Sequence, residues 1–293
     1  MPELPEVQTI TKDLGNTIVG YTITKCTVAP GYIILPTNDT FRNVVMNKRI
    51  INVERIAKNI LIHLEDKHFI HFHLAMTGQI LLKEFEEIPS TGWMRVMLRL
   101  EEDFKDKYLM FNDMRMFGKI AVIGVREREN LIKKYGPEPI DEDLDAETFL
   151  KKLKTKNTTI KNALLDQTLV SGLGNIYATD ALYLAGVNPE QKTKDITEQQ
   201  SIKLLEASKQ ILLEGIKHRG STLPDKMYVD IFGKKGTHQE HFKIYSKEVC
   251  PKCNTKVVVK KINGRGTYFC PKCQPLHKPL VQQNNLIRHN ASI

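Results

Sequence analysis

The sequence predicts an α+β chain: an N-terminal helix, an antiparallel β-sandwich, a helical second half and a closing β-hairpin that carries cysteines. Three observations lead there. Residues 22–124 break into short apolar or alternating segments, the apolar period turns helical beyond Gly136, and four of the five cysteines fall in two pairs near the end. A length of 293 residues gives each half enough chain to bury a core.

Val7, Ile10 and Leu14 stand at i, i+3 and i+7, which predicts one amphipathic helix starting after the opening prolines and ending at Gly15. The strands are expected at Ile60–Leu64, Phe69–Leu74, Met94–Leu100 and Tyr108–Phe111, separated by Asp, Gly or Lys. Gly136-Pro137-Glu138-Pro139 reads as a linker. Helices are expected at 147–154, 158–167, 175–185 and 197–218, the last opened by the capping-box pattern Thr197-x-x-Gln200. The expected units are 1–135, 136–245 and 246–274, with a polar, flexible tail over 275–293.

No apolar run approaches the roughly 20 residues that span a bilayer. The start lacks a basic region followed by an apolar stretch, so no secretory signal is visible. A cytoplasmic monomer without a membrane partner is the expectation. The net charge of +9 is concentrated: residues 246–293 hold nine Lys/Arg against Glu248 alone, which is +8 there and +1 elsewhere. A clustered cationic segment is the footprint of a polyanion binder, although charge runs are more often solvated faces.

The same segment carries Cys250-x2-Cys253-x16-Cys270-x2-Cys273. Two knuckles separated by a ribbon close a tetrahedral thiolate shell around one zinc ion, and a full shell of four makes that zinc structural. Two disulfides fit poorly with an intracellular protein. Val257–Val259 and Thr267–Phe269 read as two strands joined through Asn263-Gly264, a favoured hairpin turn. The remaining Cys26 reads as a buried apolar residue.

Chemistry is concentrated at the start, Met1-Pro2-Glu3-Leu4-Pro5-Glu6. Methionine before a small residue is normally trimmed, which leaves the proline secondary amine as the terminus. An α-amino group titrates near 7.7–8.0, so part of it is neutral and nucleophilic at neutral pH. Its attack on a sugar C1′ forms a cationic iminium that draws electrons for eliminating phosphate. Glu3 and Glu6 stand beside it for proton transfer and for ordering water. Prolines and acids at a helix start also serve simply as caps.

The opening Pro2-Glu3-Leu4-Pro5-Glu6-Val7 resembles that of bacterial formamidopyrimidine-DNA glycosylases; the related endonuclease VIII enzymes typically carry Gly at the position of Leu4. The resemblance runs through residues 2–274. In Arg55-Ile56-Ala57-Lys58-Asn59 it places Lys58 near the catalytic amine and a DNA phosphate, where spacing alone allows a surface hairpin lysine. In His73-Leu74-Ala75-Met76-Thr77-Gly78 it makes His73 part of the DNA-binding face and sends Met76 into the space of an everted base. In Asp113-Met114-Arg115-Met116-Phe117-Gly118 it gives Arg115 the widowed partner base and makes Phe117 a wedge. Everting a base costs a few kcal/mol of stacking, which such a set offsets. Without the resemblance, Met76 and Phe117 read as core residues.

Gly172-Leu173-Gly174-Asn175 reads as a glycine turn that lets a phosphate approach a helix terminus, with Asn175 as an added donor. The resemblance assigns Asn175 a phosphate beside the lesion, Lys161 a place near it, and Arg265 and Tyr245 the surrounding phosphates. A guanidinium at a ribbon tip is well suited to that task. It also implies a helix-two-turn-helix domain followed by a β-hairpin zinc finger. The implied activity on damaged duplex DNA is removal of oxidised purines through a Pro2 Schiff base, with β,δ-elimination at the apurinic site.

The chain departs from the family in four places. Asp180 stands where Glu is usual, Ser246–Val249 is short, Pro224–Met227 is unusual in a loop spanning 220–236, and the tail runs past Gln274. A DNA-binding paralogue with lost or narrowed excision is the alternative, and a zinc-ribbon RNA-binding protein is a third reading.

Overall fold

The computed structural model describes residues 1–85, 92–103 and 105–276. Helix α1 (Leu4–Ile18) runs past Gly15 rather than ending there. Ile18 continues the apolar stripe one turn beyond Leu14 and is fully buried, and the turn falls at Gly20, where φ is +100°. Val7, Ile10, Leu14 and Ile18 enter the core of the sandwich, whereas Leu4 enters that of the helical half. The first turn of α1 therefore joins the two cores.

The sandwich consists of two four-stranded sheets. One has the order β1 (Thr22–Val28), β6 (Met94–Glu102), β7 (Lys105–Asp113), β5 (Gly78–Lys83); the other β2 (Ile50–Ile56), β3 (Asn59–Leu64), β4 (Phe69–His73), β8 (Lys119–Ile123). These strands pair with one another antiparallel, with Ile62 opposite Ile70 and Leu98 opposite Leu109. Alternate residues of β5 (Gly78, Ile80, Leu82) are buried, as a sheet with one wet face requires. Tyr228 and Ile231, beyond the last long helix, pack into this core, and Leu82 N–H donates to Ile231 O.

Two helices were not expected. Short α2 (Asn38–Val45) buries only Phe41 and Val45, and its Thr37 cap accepts from Thr40 N–H. Helix α3 (Val125–Lys134) buries no residue, so no apolar stripe marks it in the sequence. The Gly136–Pro139 segment is pinned: Glu138 forms a two-point ion pair with Arg55 of β2.

The helical half holds α4 (Ala146–Lys154), α5 (Ile160–Leu165), α6 (Asn175–Leu184) and α7 (Glu198–Lys217). Thr197 and Gln200 form the reciprocal capping box. Helix α6 is buried from Ile176 to Leu182 and packs against α5 and α7, while α4 packs on α7. The closing hairpin pairs β9 (Val258–Ile262) with β10 (Arg265–Phe269) through Asn263 and Gly264, both at positive φ as the tight turn demands. Gln274 ties this hairpin to the body: its side chain accepts from Cys270 N–H and donates to Val187 O. The expected tail lies outside the described residues from 277 onward. Among the described residues, no helix is long and apolar enough to cross a membrane.

Candidate active site

The first turn of α1 meets the first turn of α6 end to end. Glu3 (2% exposed) accepts from Gly174 N–H at 2.6 Å and from Ile176 N–H at 2.9 Å. The donors expected to receive a phosphate are thus occupied by a carboxylate of the chain itself, which the helix terminus stabilises equally well. The glycines serve the same junction. A Cβ on Gly174 would fall 2.3 Å from Glu3 Cδ, and one on Gly172, at φ +91°, 2.4 Å from Leu4 Cδ1.

Glu6 (2% exposed) was expected to order water, but its oxygens are held by the protein. Oε2 accepts from Glu3 N–H at 2.8 Å; Oε1 accepts from the Tyr177 hydroxyl and Ser221 N–H, each at 2.7 Å. Burial, followed by the charge of Glu3, raises its pKa above the ordinary carboxylate value.

Pro2 is buried and shares one pocket with Lys58, His73, Gly174, Gln167 and Arg265. Lys58, in the β2–β3 turn, donates to Leu173 O at 2.7 Å. Desolvation brings its pKa down to about 8, with the charge of Arg265 adding to the depression and that of Glu3 opposing it. His73 is also depressed, by burial and then by Lys58.

Lys161 is fully buried, so its ammonium reaches no surface; it donates to Asn175 O at 2.9 Å and to the Thr179 hydroxyl at 2.5 Å. Burial lowers its pKa to about 7. Asn175 in turn donates through Nδ2 to Gly266 O in the hairpin at 2.9 Å, which sets Arg265 beside the Pro2 pocket. Tyr245 is half-buried with its ring against Phe242 and Tyr268.

Met76, Arg115 and Phe117 come together on the surface. The Arg115 guanidinium lies 4.7 Å from the Phe117 ring centroid and 3.8 Å from Met76 Sδ, while Met76 and Phe117 are 42% and 51% exposed. Fully buried Asp113 organises the two loops that carry them. Its carboxylate accepts from the Thr77 hydroxyl at 2.5 Å and from Gly118 N–H at 2.6 Å. Asp180 plays the same part for the segment that leads toward the hairpin, accepting from Lys243, Ile244 and Tyr245 N–H at 2.9 Å each. No residue pattern flags Asp113, Asp180 or Gln274 as organisers, because their partners are distant in sequence.

The four cysteines converge. Cys250 and Cys273 sulfurs lie 3.8 Å apart, and Cys253 lies 3.5 Å from both Cys270 and Cys273. Zn–S bonds of 2.3 Å give a tetrahedral edge of about 3.8 Å. The set therefore fits one structural zinc ion, and these separations exclude S–S bonds.

Three family models match in order. The formamidopyrimidine-DNA glycosylase N-terminal domain covers residues 1–120, the corresponding H2TH domain 135–226, and the zinc finger found in FPG and IleRS 247–276. The formamidopyrimidine-DNA glycosylase of Pelotomaculum thermopropionicum is 37% identical over 279 residues, covering 94% of this chain and 99% of that one. That of Desulforamulus reducens is 36% identical over 280 residues, with the same coverage of both chains. Among solved structures, the Lactococcus lactis FPG complex with a FAPY-dG containing DNA aligns with a TM-score of 0.84 at 32% identity, covering 93% of this chain and 100% of that one. MutM in complex with carbocyclic 8-oxo-G containing DNA aligns at 0.85 and 32%, covering 94% and 100%. With these matches spanning the sandwich, the helices and the cysteine hairpin, the chain belongs to the formamidopyrimidine-DNA glycosylase family.

Proposed function

We propose that this chain excises oxidised purines, 8-oxoguanine and formamidopyrimidines, from duplex DNA and then cuts the strand through a covalent adduct of Pro2. The observation that carries the reading is the convergence of Pro2, Lys58, His73 and Arg265 on one pocket that is also lined by Gly174, whose N–H holds Glu3. The relatives in solved complexes hold DNA with those two lesion types, which supports the substrate class.

Removal of Met1 frees the Pro2 amine. Its proton passes to Glu3; the Pro2 nitrogen then bonds to C1′ as the glycosidic bond breaks, and the departing base takes up the remaining N–H proton. Glu3 delivers its proton to the ring oxygen O4′ as the C1′–O4′ bond opens and the nitrogen lone pair forms the C=N bond. The base leaves and an iminium remains. Loss of a C2′ proton feeds electrons into the iminium and expels the 3′ phosphate; a second elimination expels the 5′ phosphate. Glu6 is a positioning residue that holds the Glu3 backbone. Lys58 and Arg265 hold phosphates, Asn175 fixes the hairpin beside them, and Lys161 acts through Asn175. Met76, Arg115 and Phe117 fill the void left by the everted base. The cytoplasm, where DNA is the substrate, is the proposed location.

Borohydride trapping on duplexes with a single defined lesion tests the reading. A covalent adduct is expected with 8-oxoguanine duplex, sharply reduced in Pro2→Gly. Tight binding with no adduct on any lesion would leave the paralogue that binds without excising, and preference for structured RNA would leave the RNA-binding reading.

A further inference from the structure

The stem of the loop between α7 and the hairpin carries a second cluster of metal-binding side chains. Glu214 and His218 stand one turn apart at the C-terminal end of α7, and His241 ends a short 3-10 turn at His238–His241. One ligand atom from each of the three lies within 4.8 Å of the other two. The His218 and His241 rings are 3.8 Å apart, centroid to centroid, and all three residues are half-buried, so side-chain rotation can draw them together. We propose that Glu214, His218 and His241 form a second site for a divalent ion of the zinc class, one that staples the two ends of the loop 219–240.

The donor set carries the assignment. Two imidazoles and a carboxylate with an open fourth position make up a recurrent zinc shell, and imidazole selects zinc, copper or nickel over magnesium or calcium. A second observation points the same way. His238, fully buried beside the cluster with its ring 6.3 Å from that of His218, leaves both ring nitrogens without a hydrogen-bond partner among the described residues. Three imidazoles are thus gathered where protein hydrogen bonds satisfy little of their capacity. One feature opposes a cation: the Lys243 ammonium lies 2.7 Å from Glu214 Oε1. A carboxylate has a second oxygen, so the lysine weakens the site without closing it.

The position gives such an ion a consequence. The stem is already zipped, with Thr237 N–H donating to His218 O and His238 N–H to Gly220 O. Inside it, Ser221 N–H reaches Glu6, and Tyr228 and Ile231 pack into the sandwich. An ion bridging His218 and His241 holds that stem, and with it the loop, against Glu6. The inference does not depend on the chemistry at Pro2.

The test uses the untagged full-length protein with its hairpin zinc in place, dialysed to equilibrium against buffered Zn2+ and assayed for metal by plasma emission. Two zinc ions per chain are expected, falling to one in His218→Ala and in His241→Ala with unchanged folding. Lys243→Met should fill the second site at lower free zinc. Added Co2+ should bring d–d bands without new sulfur-to-metal charge transfer. One zinc per chain in the unaltered protein, or two in both histidine variants, overturns the proposal.

Discussion

The Glu3 carboxylate fills the space above residue 174 that any side chain there would occupy, 2.3 Å from where a Cβ would stand. Gly174→Ala is therefore expected to push Glu3 off the α6 terminus. Overpacking of this kind costs about 1–3 kcal/mol, and an ångström of displacement at a reacting group costs roughly 10²-fold in rate. Thermal melting together with single-turnover excision checks both. A variant that melts lower but excises at the full rate would separate the junction from catalysis.

An alanine inserted between Met1 and Pro2 converts the proline amine into an amide. Arg265, Asn175 and the Met76–Arg115–Phe117 cluster are untouched, so duplex affinity should stay within a few-fold while borohydride trapping and strand cutting disappear. If cutting survives, the nucleophile lies elsewhere, and Lys58, in the same pocket, is the next suspect.

Lys58 sets an alkaline limit. Its pKa of about 8 in the folded chain means that its positive charge is lost from the pocket as pH rises through that value. The strand-cutting rate should fall on the alkaline side with a midpoint near 8, and Lys58→Gln should be slower but lack that limb. The stability effect has the opposite sense. Between about 8 and 10.5 the unfolded chain holds the proton that the folded chain has released, so stability rises with pH across that window. Below it the cost of burying the ammonium is constant. An unchanged alkaline limb in Lys58→Gln would exclude this assignment.

What the sequence made legible was local. The period of Val7, Ile10 and Leu14 marks α1, Thr197 and Gln200 mark the start of α7, and cysteine spacing marks the zinc site, because each signal lies within one element or one hairpin. Helix α3 escaped because it buries no residue fully and, of its apolar residues, packs Leu131 alone on a small cluster. The Gly172–Gly174 turn was visible but assigned to a phosphate, since its occupant, Glu3, lies 171 positions away. Asp113 and Asp180 stand in recognisable motifs, but the motifs do not name the backbone donors that folding brings to them. Chain-distant hydrogen bonds leave no periodicity to read.

Asp113→Ala removes the acceptor that holds the Thr77 and Gly118 loops together. Leaving buried donors unpaired costs about 1–3 kcal/mol. The expected signature is specific: the Met76–Arg115–Phe117 cluster loses its geometry, so discrimination between partner bases opposite the lesion should weaken more than affinity for an abasic duplex. Excision measured on duplexes that differ only in the opposite base makes that comparison. Equal losses on all of them would reduce Asp113 to a stabilising role.

Stripping the structural zinc should act on the hairpin while the sandwich core, which contains none of its residues, stays folded. Four thiolates at 3.5–3.8 Å repel one another without the ion, and in small metal-bound units of this kind the binding energy is also the folding energy. Melting the hairpin releases Arg265 from the Pro2 pocket and Gly266 from Asn175, so the proposed phosphate contacts of the hairpin should be lost together. Each phosphate contact contributes about 0.9 to the slope of log affinity against log salt. Arg265→Ala should therefore lower the slope by about one, and Cys273→Ser by at least as much, because melting the hairpin displaces Arg265 together with Lys260 and Lys261 of the same hairpin. Duplex titrations across a salt series, with circular dichroism to confirm the sandwich, decide it. A metal-free Cys273→Ser protein with the original slope would remove the hairpin from the DNA-binding surface.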